Sequence, residues 1–319
     1  MNVALLSGII AVVIASILTP IVRKFAISNN IIAKPGGRRI HAKPTALLGG
    51  IGMYLAFMIA VTFIIYIDPE IKFSRQVWGI YLGASIMALV GILDDKFELA
   101  GSIQALSIII AACVLVLFDV RINYITNPFR GGSLFWLGYA AIPVTVIWVL
   151  MVTKAVDCMD GLDGLAAGIC AIASFTLMLM AIKSGTAFVM PAIMGAALMG
   201  GAIGFLFFNY PPAKIFMGTI GSQFLGFTLA AISIMGAFKI ATLLAVAVPI
   251  LVLGVPLIDT SFVVLRRIAN GKKIYEADRT HLHHRLLDRG LSHREVVWLV
   301  YLITIVFCGL GYLLFSYVE

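Results

Sequence analysis

Charged side chains are scarce in this sequence. They make up 12% of its 319 residues, against about a quarter in a soluble globular domain, while apolar residues make up 61%. With a mean hydropathy of +1.06, the chain has too much apolar surface to bury in a water-facing globule. Lipid must therefore be the solvent for most of it. No polar stretch reaches the roughly 50 residues of a small independent domain, so we expect residues 1–319 to form one integral membrane domain.

Cysteine is also rare, and no basic residue precedes Arg23. Without an early basic region or a small-residue cleavage site, we expect the first apolar segment to be retained as a span, not removed as a signal peptide. The net charge of +8 fits the positive-inside bias and anionic substrates better than nucleic acid. The four cysteines show no metal-ligand or disulfide spacing, which favours small apolar packing residues: Cys113, Cys158, Cys170 and Cys308.

Long apolar segments are abundant. Ten of them have about the 20 residues that a membrane-crossing helix needs, and some are barely long enough. They predict an all-α polytopic membrane protein with ten or eleven transmembrane helices. The longest segment on the outer side, 119–136, contains Pro and a Gly-Gly pair, so we expect a turn or short hairpin there without a catalytic role. The predicted spans are 3–22, 47–66, 77–93, 103–118, 137–153, 165–182, 187–208, 222–237, 240–264 and 295–317.

Basic and acidic residues both gather on one side of these spans. One set of alternate loops holds 17 of the 23 Lys and Arg residues, and basic loops stay cytoplasmic. Eleven of the 15 acidic residues lie at or near the same side, where adjacent carboxylates need a cation. The pattern predicts outward-facing termini and a divalent metal ion bound at the cytoplasmic side. The predicted cytoplasmic loops are 23–46, 94–102, 154–164, 209–221 and 265–294.

Two adjacent carboxylates, Asp94 and Asp95, close the third predicted span. The helix dipole favours cations at this end, so the position is poor for two anions. The pair is either a solvated helix end with Lys96 as counter-ion, or a site in which one carboxylate binds Mg²⁺ and the other binds the metal ion or acts as nucleophile. The pair alone does not decide between these interpretations.

A second acidic segment, 157–164, precedes the sixth span. It contains Asp157, Asp160 and Asp163, and glycine follows each of the last two, which permits tight turns and close approach of a ligand. Asp160 and Asp163 would share one face if the segment were helical. Two Asp-Gly turns are the simpler interpretation. A third carboxylate at the same spacing nevertheless favours a Mg²⁺ site that phosphate oxygens complete.

The eighth span opens with Gly218, Gly221 and Ser222. Backbone N–H groups at such a helix start can bind an anion. Glycine also eases helix packing in membranes, so this signal is weak by itself.

A histidine cluster lies in the last long cytoplasmic loop, at 279–285. It has no Cys or acidic partner at a zinc spacing, so it suits a phosphate or sugar contact, or it is a solvated basic loop. Asp259 is expected to support the site, and His41 is either a substrate contact or a topology signal. The candidates in the cluster are Arg279, His281, His283 and His284.

Together these residues resemble the polyprenyl-phosphate N-acetylhexosamine-1-phosphate transferase family, in its WecA/TagO-like branch. The resemblance runs from Arg38 to about Leu291, and the order, spacing and common membrane side of its motifs argue against chance. The motifs are Arg39-Ile-His41 with Pro44-Thr45 and Gly49-Gly50, Asp94-Asp95, Asp160-Gly-Leu-Asp-Gly-Leu165, Phe216-Met-Gly with Gly221-Ser222, Pro256-Leu-Ile-Asp259, and His281-Leu-His-His284.

The resemblance implies ten or eleven helices around a cytoplasmic-side cleft. It also implies a Mg²⁺-dependent enzyme, with Mn²⁺ as an alternative cation, in the bacterial plasma membrane. Such an enzyme transfers N-acetylhexosamine 1-phosphate, here most simply GlcNAc-1-phosphate, from a UDP-sugar to undecaprenyl phosphate and releases UMP. This is the first membrane step of cell-envelope polysaccharide or teichoic acid synthesis. A homodimer is also reasonable. Catalysis and metal binding fall to Asp94, Asp95, Asp160 and Asp163, and substrate contacts to Lys154, Asp157, His281, His283, His284, Arg279, Gly221, Ser222 and His41.

Four positions depart from the family pattern that the resemblance implies. The family has a metal-binding Asp where Thr219 stands, Asn at the positions of Lys154 and Asp157, and Pro-Arg in place of Ala46-Leu47. A hydroxyl is a poorer ligand than a carboxylate for a hard cation. Asp157 restores one negative charge, and Lys154 could contact phosphate.

Two other functions compete with an active transferase. One is a degenerate relative that binds lipid phosphate or nucleotide sugar without turnover. The other is a lipid transporter, which would place polar residues at broken helices near mid-membrane. Here the spans are clean and the polar groups lie at one side, which disfavours transport.

Overall fold

The computed structural model describes five stretches of the chain, which contain eleven α-helices. The described stretches are 2–33, 44–126, 134–236, 250–269 and 282–318. The helices are α1 Asn2–Ser28, α2 Gly49–Ile67, α3 Arg75–Phe97, α4 Gly101–Leu117, α5 Ala141–Met159, α6 Leu165–Lys183, α7 Val189–Asn209, α8 Gly218–Met235, α9 Gly254–Ala269, α10 Leu282–Asp288 and α11 His293–Val318.

Most of these helices are long and apolar enough to cross a membrane. Eight described helices meet that criterion, and α4 is a shorter apolar helix of 17 residues. This confirms the predicted all-α polytopic membrane fold. The predicted span 240–264 lies partly outside the described residues, and α9 begins within it. The count of ten or eleven spans therefore stays a prediction.

Two short antiparallel hairpins accompany the helices. In the first, β1 Ile32–Ala33 pairs with β2 Thr45–Ala46. In the second, β3 Tyr124–Thr126 pairs with β4 Leu134–Trp136. The second hairpin lies in segment 119–136, where the sequence predicted a turn or hairpin.

Helix α8 forms the centre of the bundle, since 89% of its apolar window is buried. It packs against α2, α3 and α5, and glycines bring the backbones close together. A Cβ added to Gly50 would lie 2.3 Å from the backbone N of Gly221, and one added to Gly91 would lie 2.2 Å from Cα of Ile220. Small residues at helix contacts allow this packing in lipid, and here they fix where α8 begins.

Two helices run further than the apolar segments predicted. Helix α3 continues to Phe97, so Asp94 and Asp95 are helical. Helix α5 continues to Met159, which corrects the expected loop 154–164: its first six residues are helical, and Asp160 ends the helix. Within this extension, Lys154 and Asp157 form an ion pair about one helical turn apart.

Candidate active site

A cavity opens where α3 and α5 end and α8 begins, which we call the acidic end of the bundle. Its volume is about 320 Å³. Four carboxylates contributed by α3, α5 and the turn after α5 line it: Asp95, Asp157, Asp160 and Asp163. Gly218, Thr219, Ser222 and His284 also line it. The acidic motifs, the start of α8 and the histidine segment therefore meet at one place, as the sequence predicted.

Asp95 lies against the first turn of α8. The backbone N–H of Thr219 donates to Asp95 Oδ1 at 2.8 Å, which uses a free donor of the helix start. Gly218 has a positive φ of 68°, and a Cβ there would lie 2.1 Å from Asp95 Oδ2, so only glycine fits. Asp95 Oδ2 is buried and accepts no hydrogen bond from the described residues. A cation would satisfy it.

The second acidic motif forms a turn between α5 and α6, not a continuous helix. Asp163 Oδ2 accepts a hydrogen bond from the N–H of Ala213 at 2.9 Å, and the N–H of Gly164 donates to Asn209 Oδ1 at 2.8 Å. These bonds tie the turn to the end of α7. Burial, followed by the charges of Asp157, Asp95 and Asp163, holds the pKa of Asp160 well above its usual range. The turn therefore presents a carboxyl group whose negative charge needs a cation.

The start of α10 brings histidine to the same cavity. A Cβ on Gly161 would lie 2.4 Å from Nε2 of His283, so His283 packs directly on the acidic turn, while His284 lines the cavity. The N–H of Leu282 donates to Asp259 Oδ1 at 2.7 Å. Asp259 therefore anchors the first residue of the histidine helix, and its supporting role stays a prediction.

Asp94 and Lys154 point away from the cavity lining and into a polar network. Asp94 Oδ1 accepts from the N–H of Leu99 at 2.9 Å and from Nε2 of Gln104 at 2.8 Å, and Thr219 Oγ1 donates to Asp94 Oδ2 at 2.5 Å. Lys154 Nζ donates to Oε1 of Gln104 at 2.6 Å. Gln104 was missed by the sequence analysis, although a lone amide two residues inside a predicted apolar span is a detectable signal.

Comparison with known proteins agrees with this geometry. The model of glycosyl transferase family 4 matches residues 77–237. A probable undecaprenyl-phosphate N-acetylglucosaminyl 1-phosphate transferase of Bacillus subtilis (strain 168) is 36% identical over 299 residues, 94% of this chain and 81% of the relative. The chain belongs to glycosyl transferase family 4.

Two further relatives are also similar. A decaprenyl-phosphate N-acetylglucosaminephosphotransferase of Mycobacterium leprae (strain TN) is 33% identical, covering 93% of this chain and 80% of the relative. A phospho-N-acetylmuramoyl-pentapeptide-transferase of Halalkalibacterium halodurans is 29% identical, covering 96% and 94%. These relatives confirm the resemblance found in the motifs, and the chain is a phosphoglycosyl transferase by family.

Some predicted site residues of this family 4 protein lie outside the described residues: His41, Arg279 and His281. The remaining candidates lie in the described stretches. Gly221 packs on Gly50, and Ser222 Oγ donates to Asp157 Oδ1 at 2.6 Å. Both therefore hold the start of α8 in register with the acidic residues.

The described carboxylates fit a hard divalent cation. Asp95, Asp160 and Asp163 offer oxygen ligands around one cavity, which is the donor type that Mg²⁺ takes. Within the described stretches, no group of three Asp, Glu, His or Cys side chains stands close enough together to hold a metal ion by itself. A Mg²⁺ ion bound here would therefore draw its other ligands from phosphate and water, as this ion usually does.

Proposed function

We propose that this protein transfers N-acetylhexosamine 1-phosphate, most simply GlcNAc-1-phosphate, from a UDP-sugar to undecaprenyl phosphate. The products would be undecaprenyl-diphosphate-sugar and UMP. The observation that carries the proposal is the meeting of four carboxylates, the first turn of α8 and His284 at one cavity. Relatives with this activity in their names support the same assignment.

The chemistry is a phosphoryl transfer. An oxygen of the lipid phosphate attacks the phosphorus that bears the sugar, a new P–O–P link forms, and the bond to the UMP oxygen breaks so that UMP leaves with the electron pair. A bound Mg²⁺ or Mn²⁺ would supply charge neutralisation on the phosphates. Asp95, Asp160 and Asp163 are its candidate ligands, and phosphate and water would complete the set.

The remaining groups would orient the two phosphates. N–H groups at the start of α8 and the ring of His284 could donate to phosphate oxygens. Asp94 stays a predicted ligand, although three donors already occupy its oxygens. The positioning supplied by these fixed groups accounts for most of the catalysis expected in phosphoryl transfer.

We propose that the acidic end faces the bacterial cytoplasm, where nucleotide sugars are made, and that the helices lie in the plasma membrane. The product would begin cell-envelope polysaccharide or teichoic acid synthesis. Helix α1 exposes a row of apolar side chains, which lipid or a second copy of the chain would cover. A homodimer is thus part of the proposal.

The test is an assay of UMP release. Purified protein in detergent is incubated with undecaprenyl phosphate, a panel of UDP-N-acetyl sugars, and Mg²⁺, Mn²⁺ or EDTA. We expect release with one sugar, its loss in EDTA, and at least a hundredfold loss in Asp160→Asn, as when one element of a preorganised charge site is removed. Asp68→Asn, which changes a carboxylate at the opposite end of α2, is the matched control and should retain full activity.

Three other outcomes have distinct meanings. Binding of the UDP-sugar without UMP release would replace the proposal with a non-catalytic binding protein. Absence of binding would favour transport. UMP release that persists in EDTA would support the transferase activity but show that it needs no divalent cation.

A further inference from the structure

A network of hydrogen bonds joins four helices beside the cavity. It runs from Thr219 on α8 to Asp94 on α3, to Gln104 on α4, to Lys154 and Asp157 on α5, and ends at Ser222 on α8. Each of its five bonds is 2.9 Å or shorter.

Lys154 supplies the positive charge of this network. Its ammonium donates to Asp157 Oδ2 at 2.9 Å and to Gln104 Oε1 at 2.6 Å. The side chains of Lys154 and Asp157 are only 28% and 20% exposed, so water screens the pair less than it would at an open surface. The side-chain amide of Gln104 lies between two charged groups. Its oxygen accepts a hydrogen bond from Lys154, and its nitrogen donates one to Asp94.

Asp157 is consequently fully engaged within the protein. Lys154 occupies one carboxylate oxygen, and Ser222 occupies the other at 2.6 Å. Of the four carboxylates that line the cavity, Asp157 is the one paired with a cation of the chain itself, among the described ion pairs.

We propose that Lys154 is a positioning residue, a resident cation that keeps Asp157 out of the divalent-cation site and holds it against α8. Gln104 fixes the ammonium in place. The inference rests on the proposed function, since it takes the cavity to bind a divalent cation between Asp95, Asp160 and Asp163. It assigns Lys154 to the protein's own carboxylate, in place of the substrate phosphate that the sequence suggested.

The affinity for Mn²⁺ distinguishes a positioning role of Lys154 from a purely structural one. Lys154→Met removes a positive charge near the site and frees the Asp157 carboxylate, so the protein should bind Mn²⁺ at least about tenfold more tightly, while UMP release falls. The measurement is Mn²⁺ titration followed by electron paramagnetic resonance on purified protein in detergent, which needs no turnover. The double variant Lys154→Met/Asp157→Asn should return Mn²⁺ affinity to that of the unchanged protein.

Two controls complete the experiment. Lys154→Arg keeps the charge and should keep the Mn²⁺ affinity, and Lys72→Met removes an exposed lysine at the far end of α2 and should change neither affinity nor turnover. Thermal unfolding of each variant shows whether it is folded. If Lys154→Met unfolds, Lys154→Gln, which retains a donor, replaces it with the same expected increase in affinity.

The outcomes separate the inference from the proposed function. UMP release by the unchanged protein together with unaltered or weakened Mn²⁺ binding in the folded Lys154 variants would overturn the positioning role and leave the transferase intact. Tighter Mn²⁺ binding that the double variant reverses, in a protein that never releases UMP, would support the positioning role and overturn the transferase.

Discussion

Thr219 bonds both members of the adjacent acidic pair. Its backbone N–H donates to Asp95 and its hydroxyl to Asp94, so it joins α3 to α8 at the position where the family resemblance implies a metal-binding Asp. Thr219→Val keeps the side-chain volume but leaves Asp94 one donor short. We expect a loss of about 1–3 kcal/mol of stability, seen as a lower unfolding temperature in detergent. Thr219→Ser retains the hydroxyl and should lose little.

The same residue tests the location of the metal ion. Thr219→Asp would place a third carboxylate beside Asp94 and Asp95, so both the rate of UMP release and its dependence on Mg²⁺ concentration should change. If neither changes, residue 219 is not near the metal ion.

Asp160 should make the cation-free protein sensitive to pH. Its pKa is raised in the folded state, chiefly by burial, so the folded protein retains a proton that the unfolded chain loses above about pH 4. The corresponding stability is present below that pH and is lost as the pH rises towards the raised pKa. In EDTA, the unfolding temperature should therefore fall over this window. Asp160→Asn should remove this part of the pH dependence and unfold at a higher temperature at neutral pH.

The result of this measurement distinguishes a functional carboxylate from a structural one. An Asp160→Asn protein that is more stable yet inactive would show that the charge is retained for function at a cost in stability. An unchanged pH profile would mean that Asp160 is solvated and is not part of a charged cluster.

At the scale of elements, the position of α8 depends on glycines in its neighbours. In Gly91→Ala the new Cβ would meet the backbone of Ile220 at 2.2 Å, which must push α8 away from α3 and shift Thr219 relative to Asp95. We expect a loss of 1–3 kcal/mol, typical of overpacking, and a marked loss of UMP release. Gly309→Ala in α11 is the matched control, because no described atom lies within 4 Å of its added Cβ, and helix propensity makes that change neutral or stabilising.

At the same scale, the lengths of the apolar segments predicted that the described spans exist, but they did not predict where every span ends. The run of apolar residues stops at Thr153, whereas α5 continues to Met159. The extension depends on the contact of Lys154 with Gln104, 50 residues earlier in the chain, and no local pattern reveals that partner. Similarly, the sequence placed Asp160 and Asp163 near one another but left open whether the segment was a helix or a turn.

At the scale of the whole molecule, the two ends of the bundle differ in how charge is arranged. The far end has Arg75 and Asp119 as an ion pair at 3.4 Å, with side chains 67% and 51% exposed, and such pairs stabilise little. The acidic end holds its charges around a cavity and in a network of hydrogen bonds. The sorting of acidic residues in the sequence predicted this asymmetry and named Asp94, Asp95, Asp160 and Asp163 alike. Which of these carboxylates face the cavity could not be predicted, because that depends on how α3, α4, α5 and α8 pack.

The acidic end can act on nucleotide sugars only if it faces the side of the membrane on which they are made. The orientation of the whole chain in the membrane is therefore decisive for the proposed function. Lys72, between α2 and α3, and Arg289, after α10, are exposed basic residues at opposite ends of the bundle. In intact cells a membrane-impermeant maleimide should label Lys72→Cys, whereas Arg289→Cys should react only after permeabilisation. The unchanged protein, with its four cysteines, gives the background. Labelling of Arg289→Cys in intact cells would place the carboxylates on the outside, away from any cytoplasmic UDP-sugar, and the proposed transfer could not occur there.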